Sequence, residues 1–253
     1  MTLADMAADD LAGLVTSLRD EYEQLKGKGL KLDLTRGKPS AEQLDLANAL
    51  LTLPSQTTAD GVDVRNYGGL AGLPEIRSIF AELLGVGLDQ IVAGNNSSLT
   101  MMHDTLVYHL LRGGLDSPRP WAQEDKVRFL APVPGYDRHF ALLESFGIEM
   151  ITVPMNDDGP DAEECARLVA TDPSIKGMWV VPTYANPTGA VCSQEVAAAL
   201  AAMPTAAPDF RIFWDNAYAV HHLDGVEAKT ADIVSLAQAS GPVSYTHLRA
   251  HET

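Results

Sequence analysis

The sequence predicts an α/β fold in which a mostly parallel sheet is covered by helices on both faces, giving three layers. Strand-like and helix-like segments alternate over residues 126–214, as expected for parallel strands joined by helical crossovers. Residues 210–214 are aromatic or β-branched apart from Arg211, which is typical of a central strand covered on both faces.

The elements are predicted in chain order. Apolar residues at three- and four-residue spacing predict a helix over residues 3–26, an extended connector follows at 30–40, and Pro74 opens a helix that Gly85 ends. A short strand is predicted at 89–93, before a glycine- and asparagine-rich loop and another helix. Strands are then predicted at 126–131, 149–154, 177–181 and 211–214, and helices at 137–146, 161–170 and 193–203. The sequence leaves the strand order open.

Composition limits the classes of partner. The 253 residues include 34 acidic and 18 basic side chains, a formal charge of -16, which opposes binding to nucleic acid or to an anionic membrane surface. No apolar run approaches the ~20 residues of a membrane span, so the protein is expected to be cytoplasmic. Cys165 and Cys192 lack metal or redox spacing and are predicted to be buried free thiols. No metal site is predicted.

Polar side chains follow two predicted strands. Asp215 comes directly after the strand at 211–214, Tyr218 lies three residues later, and Asn186 follows the strand at 177–181. Ligands of open α/β sheets sit at the carboxyl ends of the strands, and a buried carboxylate requires a partner. Each residue also has a structural interpretation: Asp215 as a cap, Asn186 with Pro187 as a turn initiator, and Tyr218 as core.

Two further segments extend this predicted site. The loop at 94–98, which contains Asn96, Ser97 and Ser98, precedes a helix, so it is suited either to bind a phosphate or to cap the helix. Tyr136 follows Pro134-Gly135 and could stack on a ring or flank the start of a helix. Together these groups suit a ligand with a flat ring, a negative charge and a basic ring nitrogen. Asp215 could pair with the protonated ring nitrogen, so that the ring withdraws electrons.

The motifs resemble those of the class I/II aminotransferases, which are fold-type-I pyridoxal-phosphate enzymes. The stretch at 186–189 resembles the family's Asn-Pro-x-Gly motif, residues 215–218 its Asp-x-x-Tyr motif, and residues 94–98 its phosphate loop. The resemblance covers residues 32–224. The sequence segments LTRGKPS, NYGGLAGLPEIR and PTYANPTGAV most resemble those of a bacterial subgroup similar to aspartate aminotransferase.

The resemblance implies pyridoxal 5'-phosphate as cofactor and amino-acid and 2-oxo acid substrates, possibly including aspartate. Asp215 would pair with the pyridine nitrogen, and Asn186 and Tyr218 with the ring oxygen. Asp215 and Tyr218 are the expected catalytic residues. Further cofactor contacts are expected from Asn96, Ser97, Ser98, Tyr136 and, across a homodimer interface, Tyr67 of the neighbouring subunit. Gly37 and Asn186 are expected to contact the substrate.

The resemblance also implies three segments: an N-terminal helix and arm of the small domain at 1–50, the cofactor-binding large domain at 51–240, and a tail at 241–253. The tail shows neither strand alternation nor helical periodicity and is predicted to be non-native. The family's Schiff-base lysine lies one strand beyond the Asp-x-x-Tyr motif, whereas Lys229 is the only lysine after Asp215. The chain is therefore predicted to be a fragment without that lysine. A non-catalytic, effector-binding module and a related lyase or decarboxylase are the alternatives.

Overall fold

The structure is a computed structural model that describes residues 3–32, 37–53, 55–94, 97–222 and 225–240, together with the backbone of 244–248. The chain divides into two compact units, Met1–Arg65 and Asn66–Thr253. The first boundary predicted from the sequence lies after residue 50, and the assignment of residues 1–50 to a small domain stays a prediction. Along the described ranges, no helix combines the length and apolarity that a membrane span requires.

The first unit is helical. It contains a 3-10 turn at Leu3–Asp5, helix α1 at Ala8–Gly27, helix α2 at Ala41–Asp45 and a second 3-10 turn at Asn48–Leu51. Helix α2 begins with a capping box: the Gln43 amide donates to Oγ of Ser40 over 3.3 Å, and the Ser40 amide donates to Oε1 of Gln43 over 2.8 Å. This reciprocal pairing satisfies two amides that a helix start otherwise leaves unpaired.

The second unit contains the sheet. Its strands are β1 (Arg128–Val133), β2 (Glu149–Asn156), β3 (Gly159–Pro160), β4 (Ile175–Val180), β5 (Arg211–Asp215) and β6 (Ser244–Leu248), in the order β3-β2-β1-β4-β5-β6. All neighbouring pairs are parallel except β2 with β3. The helices are α3 (Pro74–Leu84), α4 (Ser98–Arg112), α5 (Asp137–Ser145), α6 (Ala162–Val169), α7 (Gln194–Ala201) and α8 (Ile233–Ser240), and short 3-10 turns lie at Leu88–Gln90 and Trp121–Gln123.

Helices cover both faces of the sheet, as predicted. Alternate residues of β5 enter different clusters: Ile212 and Trp214 pack with residues of α6, α7 and α8, whereas Phe213 packs with Trp179 of β4 and residues of α4 and α5. Because successive side chains of a strand point to opposite faces, this division fixes the register of β5 between two apolar layers. The predicted three-layer α/β architecture is confirmed.

Strand order creates a crevice between β1 and β4. The chain leaves β1 to form β2 on one side and later returns to form β4 on the other side, where β5 follows. A ligand of an open α/β sheet binds where neighbouring crossovers diverge in this way, outside the carboxyl ends of the strands. A ligand site is therefore expected at the loops that follow β1 and β4.

The prediction of a strand at residues 89–93 is wrong. Residues Leu88–Gln90 form a 3-10 turn, and no ladder follows them. The guanidinium of Arg77 instead donates to the carbonyl oxygens of Ile91 over 2.8 Å and Leu88 over 2.6 Å. A side chain thus satisfies backbone groups that a neighbouring strand would have paired.

The tail at 241–253 contains a strand although its sequence shows no strand alternation. Residues Ser244–Leu248 form β6, which pairs in parallel with β5 from Arg211 to Asp215. The exposed backbone groups of an edge strand can pair with a segment that has no strand-like side-chain pattern. The non-native origin of the tail stays a prediction.

A buried ion pair lies at the amino ends of β4 and β5. The carboxylate of Asp209 is fully buried and accepts hydrogen bonds from Nζ of Lys176 at 2.9 Å, Oγ of Ser117 at 2.8 Å and Nε1 of Trp121 at 2.8 Å. Burial raises the pKa of Asp209, but the hydrogen bonds from Lys176, Ser117 and Trp121 outweigh it, so this pKa lies below its usual value. Three hydrogen-bond donors, one of them charged, offset the cost of burying this carboxylate.

Replacing Asp209 with Ala is expected to lower the free energy of unfolding by about 3–5 kcal/mol, because the ammonium of buried Lys176 loses its closest carboxylate. Urea unfolding at neutral pH measures this change. Exposed Asp157, changed to Asn, is the matched control and should leave the stability unaltered. A loss below about 1 kcal/mol for Asp209→Ala would show that the pair contributes no more than a surface ion pair.

A buried histidine lies beside this ion pair. The ring of His109 stacks on Trp121 with centroids 4.5 Å apart and planes 17° apart. Burial, and to a smaller extent the charge of Arg211, lower the pKa of His109 to about 4, although Asp209 opposes the shift. The folded protein therefore holds this imidazole neutral at pH values where an exposed histidine is charged.

This depressed pKa makes the fold sensitive to acid. Because the unfolded chain takes up the proton near pH 6.5 and the folded chain only near pH 4, stability is present above about pH 6.5 and falls as the pH drops. Between about pH 7.5 and about pH 5, the free energy of unfolding of the unaltered chain should fall by about 2 kcal/mol more than that of His109→Phe. This variant keeps a ring against Trp121. Urea titrations at both pH values test this, and equal losses would contradict it.

Candidate active site

A tight turn after β1 places Tyr136. A Cβ atom on Gly135 would meet the carbonyl oxygen of Pro132 and would lie 2.9 Å from Cζ of Phe140, so the turn requires glycine. Tyr136 is the residue directly before α5, and its side chain is half-buried. The predicted stacking aromatic therefore lies at the carboxyl end of β1, beside the crevice between β1 and β4.

The first turn of α5 carries a histidine that reaches the end of β5. Nε2 of His139 lies 3.0 Å from Oδ2 of Asp215, and both residues are buried, with 3% and 4% of their surfaces exposed. An ionised carboxylate only accepts hydrogen bonds, so with an ionised Asp215 the Nε2 atom is the donor. This is the partner that a buried carboxylate at this strand end requires.

Two aromatic side chains hold the ring of His139. Trp179 of β4 stacks on it with centroids 4.8 Å apart and planes 21° apart, and Tyr136 meets it edge-on at 5.1 Å and 87°. The orientation of the imidazole is therefore set by packing as well as by its hydrogen bond. Through this ring, Tyr136 and Asp215 belong to one contiguous cluster.

The second oxygen of Asp215 differs from the first. Oδ1 is buried and makes no hydrogen bond within the described part of the chain. A buried acceptor without a partner costs about 1–3 kcal/mol, so native proteins rarely keep one without a use. A ligand with a cationic or N–H donor would satisfy this atom.

A pocket occupies the crevice between the carboxyl ends of β1 and β4. Its lining includes Tyr136, His139, Trp179 and Asn186, with apolar residues of β1 and α5 around them. Asn186 is exposed and lies in the loop after β4, which is folded back by a 2.7 Å hydrogen bond from the Cys192 amide to the Pro182 carbonyl. The structure thus brings two residues of the predicted site, Tyr136 and Asn186, to one pocket.

The loop after β5 carries Tyr218. This residue is half-buried, and its ring contacts His221 edge-on with centroids 6.0 Å apart. It follows Asp215 by three residues at the carboxyl end of a strand, as the sequence predicts. The assignment of its hydroxyl to a ring oxygen stays a prediction.

The predicted phosphate loop leads into the 15-residue helix α4. Ser97 is the N-cap, and its side chain accepts a hydrogen bond from the Thr100 amide at 3.4 Å. Ser98 is the first helical residue and is buried. Asn96 lies outside the described residues. The capping interpretation of Ser97 is confirmed, and this role leaves its hydroxyl hydrogen free to be donated at the positive end of the helix dipole.

Two residues of the predicted site remain, Tyr67 and Gly37. Tyr67 has a fully exposed side chain, which is compatible with a contact to another subunit. Gly37 belongs to the first compact unit, Met1–Arg65. The expected roles of Tyr67 at the cofactor and Gly37 at the substrate stay predictions.

Three polar or aromatic residues of this region are not among those predicted from the sequence: His139, Trp179 and Thr183. Thr183 is fully buried in the loop after β4, and its Oγ1 donates to Oδ1 of Asn216 over 3.2 Å. The spacing of Tyr136 and His139 at the start of a predicted helix was a usable signal, because residues three apart share a helix face.

The histidine, cysteine and acidic side chains that the structure describes were also compared with the needs of a metal or thiol site. Among the described residues, no group of three or more histidine, cysteine or acidic side chains could hold a metal ion. Cys165 and Cys192 are both buried and free, and burial raises the pKa of each thiol to about 12. At such a pKa the thiol is protonated and unreactive near neutral pH.

Comparison with known proteins identifies the family. The sequence model described as aspartate amino-transferase matches residues 6–250. The chain belongs to the aspartate amino-transferase family. Its membership confirms the resemblance drawn from the motifs at 94–98, 186–189 and 215–218.

Individual relatives agree with this assignment. This family member is 55% identical over 246 residues to a protein named as an aminotransferase from Mycolicibacterium smegmatis, and 51% identical over 244 residues to an aspartate aminotransferase of Corynebacterium glutamicum. Each alignment covers 95% of this chain, but 58% and 56% of the two relatives. The chain thus spans less than two thirds of the length of these relatives.

Solved structures share the fold. An aspartate transaminase from Corynebacterium glutamicum, 50% identical, superposes with a TM-score of 0.88 over 99% of this chain and 60% of its own. An α-aminoadipate aminotransferase from Thermus thermophilus, complexed with N-(5'-phosphopyridoxyl)-L-leucine and 16% identical, gives a TM-score of 0.57 over 81% of this chain and 47% of its own. The second likeness concerns the fold alone.

The partnership of His139 and Asp215 predicts the effect of a substitution at His139. His139→Phe keeps a ring against Trp179 but leaves both oxygens of buried Asp215 without a donor, so the free energy of unfolding should fall by about 2–4 kcal/mol. His139→Gln offers a side-chain N–H in its place and should lose less. Urea unfolding followed by tryptophan fluorescence compares the two, and equal stability of His139→Phe and the unaltered chain would contradict the pairing.

Proposed function

We propose that this chain forms the cofactor-binding part of a pyridoxal-phosphate-dependent aminotransferase that transfers an amino group between an amino acid and a 2-oxo acid. The observation that carries the proposal is the carboxylate of Asp215, which is buried at the end of β5. His139 contacts one of its oxygens, and the other oxygen has no partner among the residues that the structure describes. A carboxylate in this state suits a protonated ring nitrogen, since it supplies a charged acceptor that water does not compete for.

Residues in the loops after β1, β4 and β5 support the proposal. Tyr136 offers an aromatic face at the pocket, Asn186 an exposed amide, and Tyr218 a phenol on the neighbouring loop. The last two would donate to the ring oxygen, and Asn96, Ser97 and Ser98 would hold the phosphate at the start of α4. When bound, pyridoxal phosphate supplies the electron-withdrawing ring that stabilises negative charge on the substrate's α-carbon.

His139 has a defined part in this chemistry. Nε2 of His139 lies 3.0 Å from Oδ2 of Asp215, and this contact leaves the other oxygen, Oδ1, for the ring nitrogen. In this role the carboxylate of Asp215 would accept a hydrogen bond from the ring nitrogen. Because Trp179 and Tyr136 fix the imidazole by ring contacts, the carboxylate is held in place before the cofactor arrives, which lowers the cost of ordering it on binding.

The proposed substrates include aspartate. The name of the 51% identical relative from Corynebacterium glutamicum supports this choice, and Gly37 and Asn186 are the proposed substrate contacts. The proposal also includes a cytoplasmic homodimer in which Tyr67 of each subunit reaches the other subunit's site. The full exposure of Tyr67 supports this arrangement.

The proposal is tested with preformed conjugates, which need no covalent bond to the protein. Binding of N-(5'-phosphopyridoxyl)-L-aspartate to the full chain is measured by quenching of tryptophan fluorescence. Asp215→Asn removes the negative charge while keeping the side-chain shape, so it should weaken binding about 10- to 100-fold, as expected for loss of a charged hydrogen bond. The matched control is Asp157→Asn, an exposed aspartate that should have no effect.

Three outcomes decide separate parts of the proposal. Absence of binding by the unaltered chain, or equal binding by Asp215→Asn, contradicts the proposed cofactor site. If N-(5'-phosphopyridoxyl)-L-leucine binds as tightly as the aspartate conjugate, preference for an acidic substrate is contradicted while the cofactor site stands. Binding of the aspartate conjugate that is tighter and dependent on Asp215 supports both parts.

A further inference from the structure

Two loops at the carboxyl edge of the sheet carry the side chains proposed to hold the cofactor's ring oxygen. The β4 loop, residues 181–193, carries Asn186, and the β5 loop, residues 216–222, carries Tyr218. The positions of the Asn186 and Tyr218 side chains depend on how firmly their loops are held. Contacts between the two loops therefore determine whether the amide and the phenol reach one atom.

The two loops are joined at their base by a buried hydrogen bond. Oγ1 of Thr183 donates to Oδ1 of Asn216 over 3.2 Å, and both residues are buried. Oγ1 of Thr183 also lies 2.6 Å from Oγ1 of Thr230. This contact anchors the beginning of each loop, but Asn186 and Tyr218 lie further along their loops.

A second contact joins the loops closer to these residues. The hydroxyl of Tyr184 lies 3.2 Å from Nδ1 of His222, and the two rings meet edge-on with centroids 6.2 Å apart and planes at 77°. Tyr184 precedes Asn186 by two residues, and His222 follows Tyr218 by four. Both side chains are half-buried, so water competes only in part for this hydrogen bond.

The backbone at Tyr184 is held in an unfavourable conformation. Within the described residues, Tyr184 is the one non-glycine residue with a positive φ, at 49°. A side chain with a Cβ atom disfavours this left-handed region, and bulky residues enter it only where surrounding contacts enforce it. Such residues concentrate at binding sites. The contact with His222 lies on the side chain of this same residue, and it supplies one such enforcing interaction.

We propose that Tyr184 and His222 are positioning residues for the ring-oxygen site, and that their hydrogen bond holds the β4 loop and the β5 loop in the arrangement in which Asn186 and Tyr218 meet one atom. This inference rests on the proposed function for the identity of the ligand. The bridge itself is a property of the described residues and is testable without a ligand. Neither Tyr184 nor His222 is proposed to touch the reacting atoms.

A double-mutant cycle tests the bridge. Tyr184→Phe removes the hydroxyl alone, and His222→Phe keeps a ring but removes Nδ1. Each should weaken binding of N-(5'-phosphopyridoxyl)-L-aspartate to the full chain about fivefold, the effect of losing one neutral hydrogen bond. The double variant should bind no worse than either single variant, because both substitutions break the same contact.

Rescue and control variants separate positioning from general damage. His222→Asn places a polar side-chain atom near the position of Nδ1 and should bind within about twofold of the unaltered chain. Tyr108→Phe, at an exposed tyrosine of α4, is the matched control and should have no effect. Effects of the two single variants that multiply in the double variant, or unaltered binding by Tyr184→Phe, would overturn the proposal.

Hydrogen exchange supplies a readout that needs no cofactor. Tyr184→Phe should speed amide exchange about fivefold in both loops, at residues 183–190 and 216–222, and leave the strands unchanged. Should the unaltered chain fail to bind the conjugate, the proposed function fails, and exchange still decides the bridge. Unchanged exchange in either loop overturns it, and faster exchange in both supports it.

Discussion

The structure depends on β5 being buried while a carboxylate lies at each of its ends. Asp209 and Asp215 are six residues apart, about 20 Å along an extended chain, and both are buried. Three donors, including the ammonium of Lys176, bind Asp209. Asp215 has a donor on one oxygen and none on the other within the described chain. The same residue type therefore stabilises the fold at the amino end and is available to a ligand at the carboxyl end.

Aromatic rings connect these two ends through one layer of the core. His109 stacks on Trp121, and the contacts continue through Phe129, Phe213 and Trp179 to His139. Rings packed in this way have few alternative positions. The imidazole that holds Asp215 is thus fixed by a continuous rigid layer, which is how a buried carboxylate can be directed before a ligand binds.

Local sequence patterns predicted most of the elements but failed where backbone groups found partners outside a ladder. The alternation over residues 126–214 located four strands and three helices, because each has an apolar face of the right period. Residues 89–93 have the composition of a strand, but Arg77 from another segment donates to the carbonyl of Ile91 and to that of Leu88 just before it. Conversely, Ser244–Leu248 lacked a strand pattern and became β6, because the edge of β5 was available for pairing.

The sequence by itself determined the α/β class, the family and the positions of Asn186, Tyr136 and Asp215 at strand ends, because periodicity and short motifs are local properties. It did not reveal the buried ion pair of Asp209 and Lys176, the contact of His139 with Asp215, or the bridge from Tyr184 to His222. Those depend on which side chains meet across 76 and 38 residues of chain. Only the tertiary structure decided them, since burial and pairing of a polar group arise from packing between elements rather than from the residues beside it.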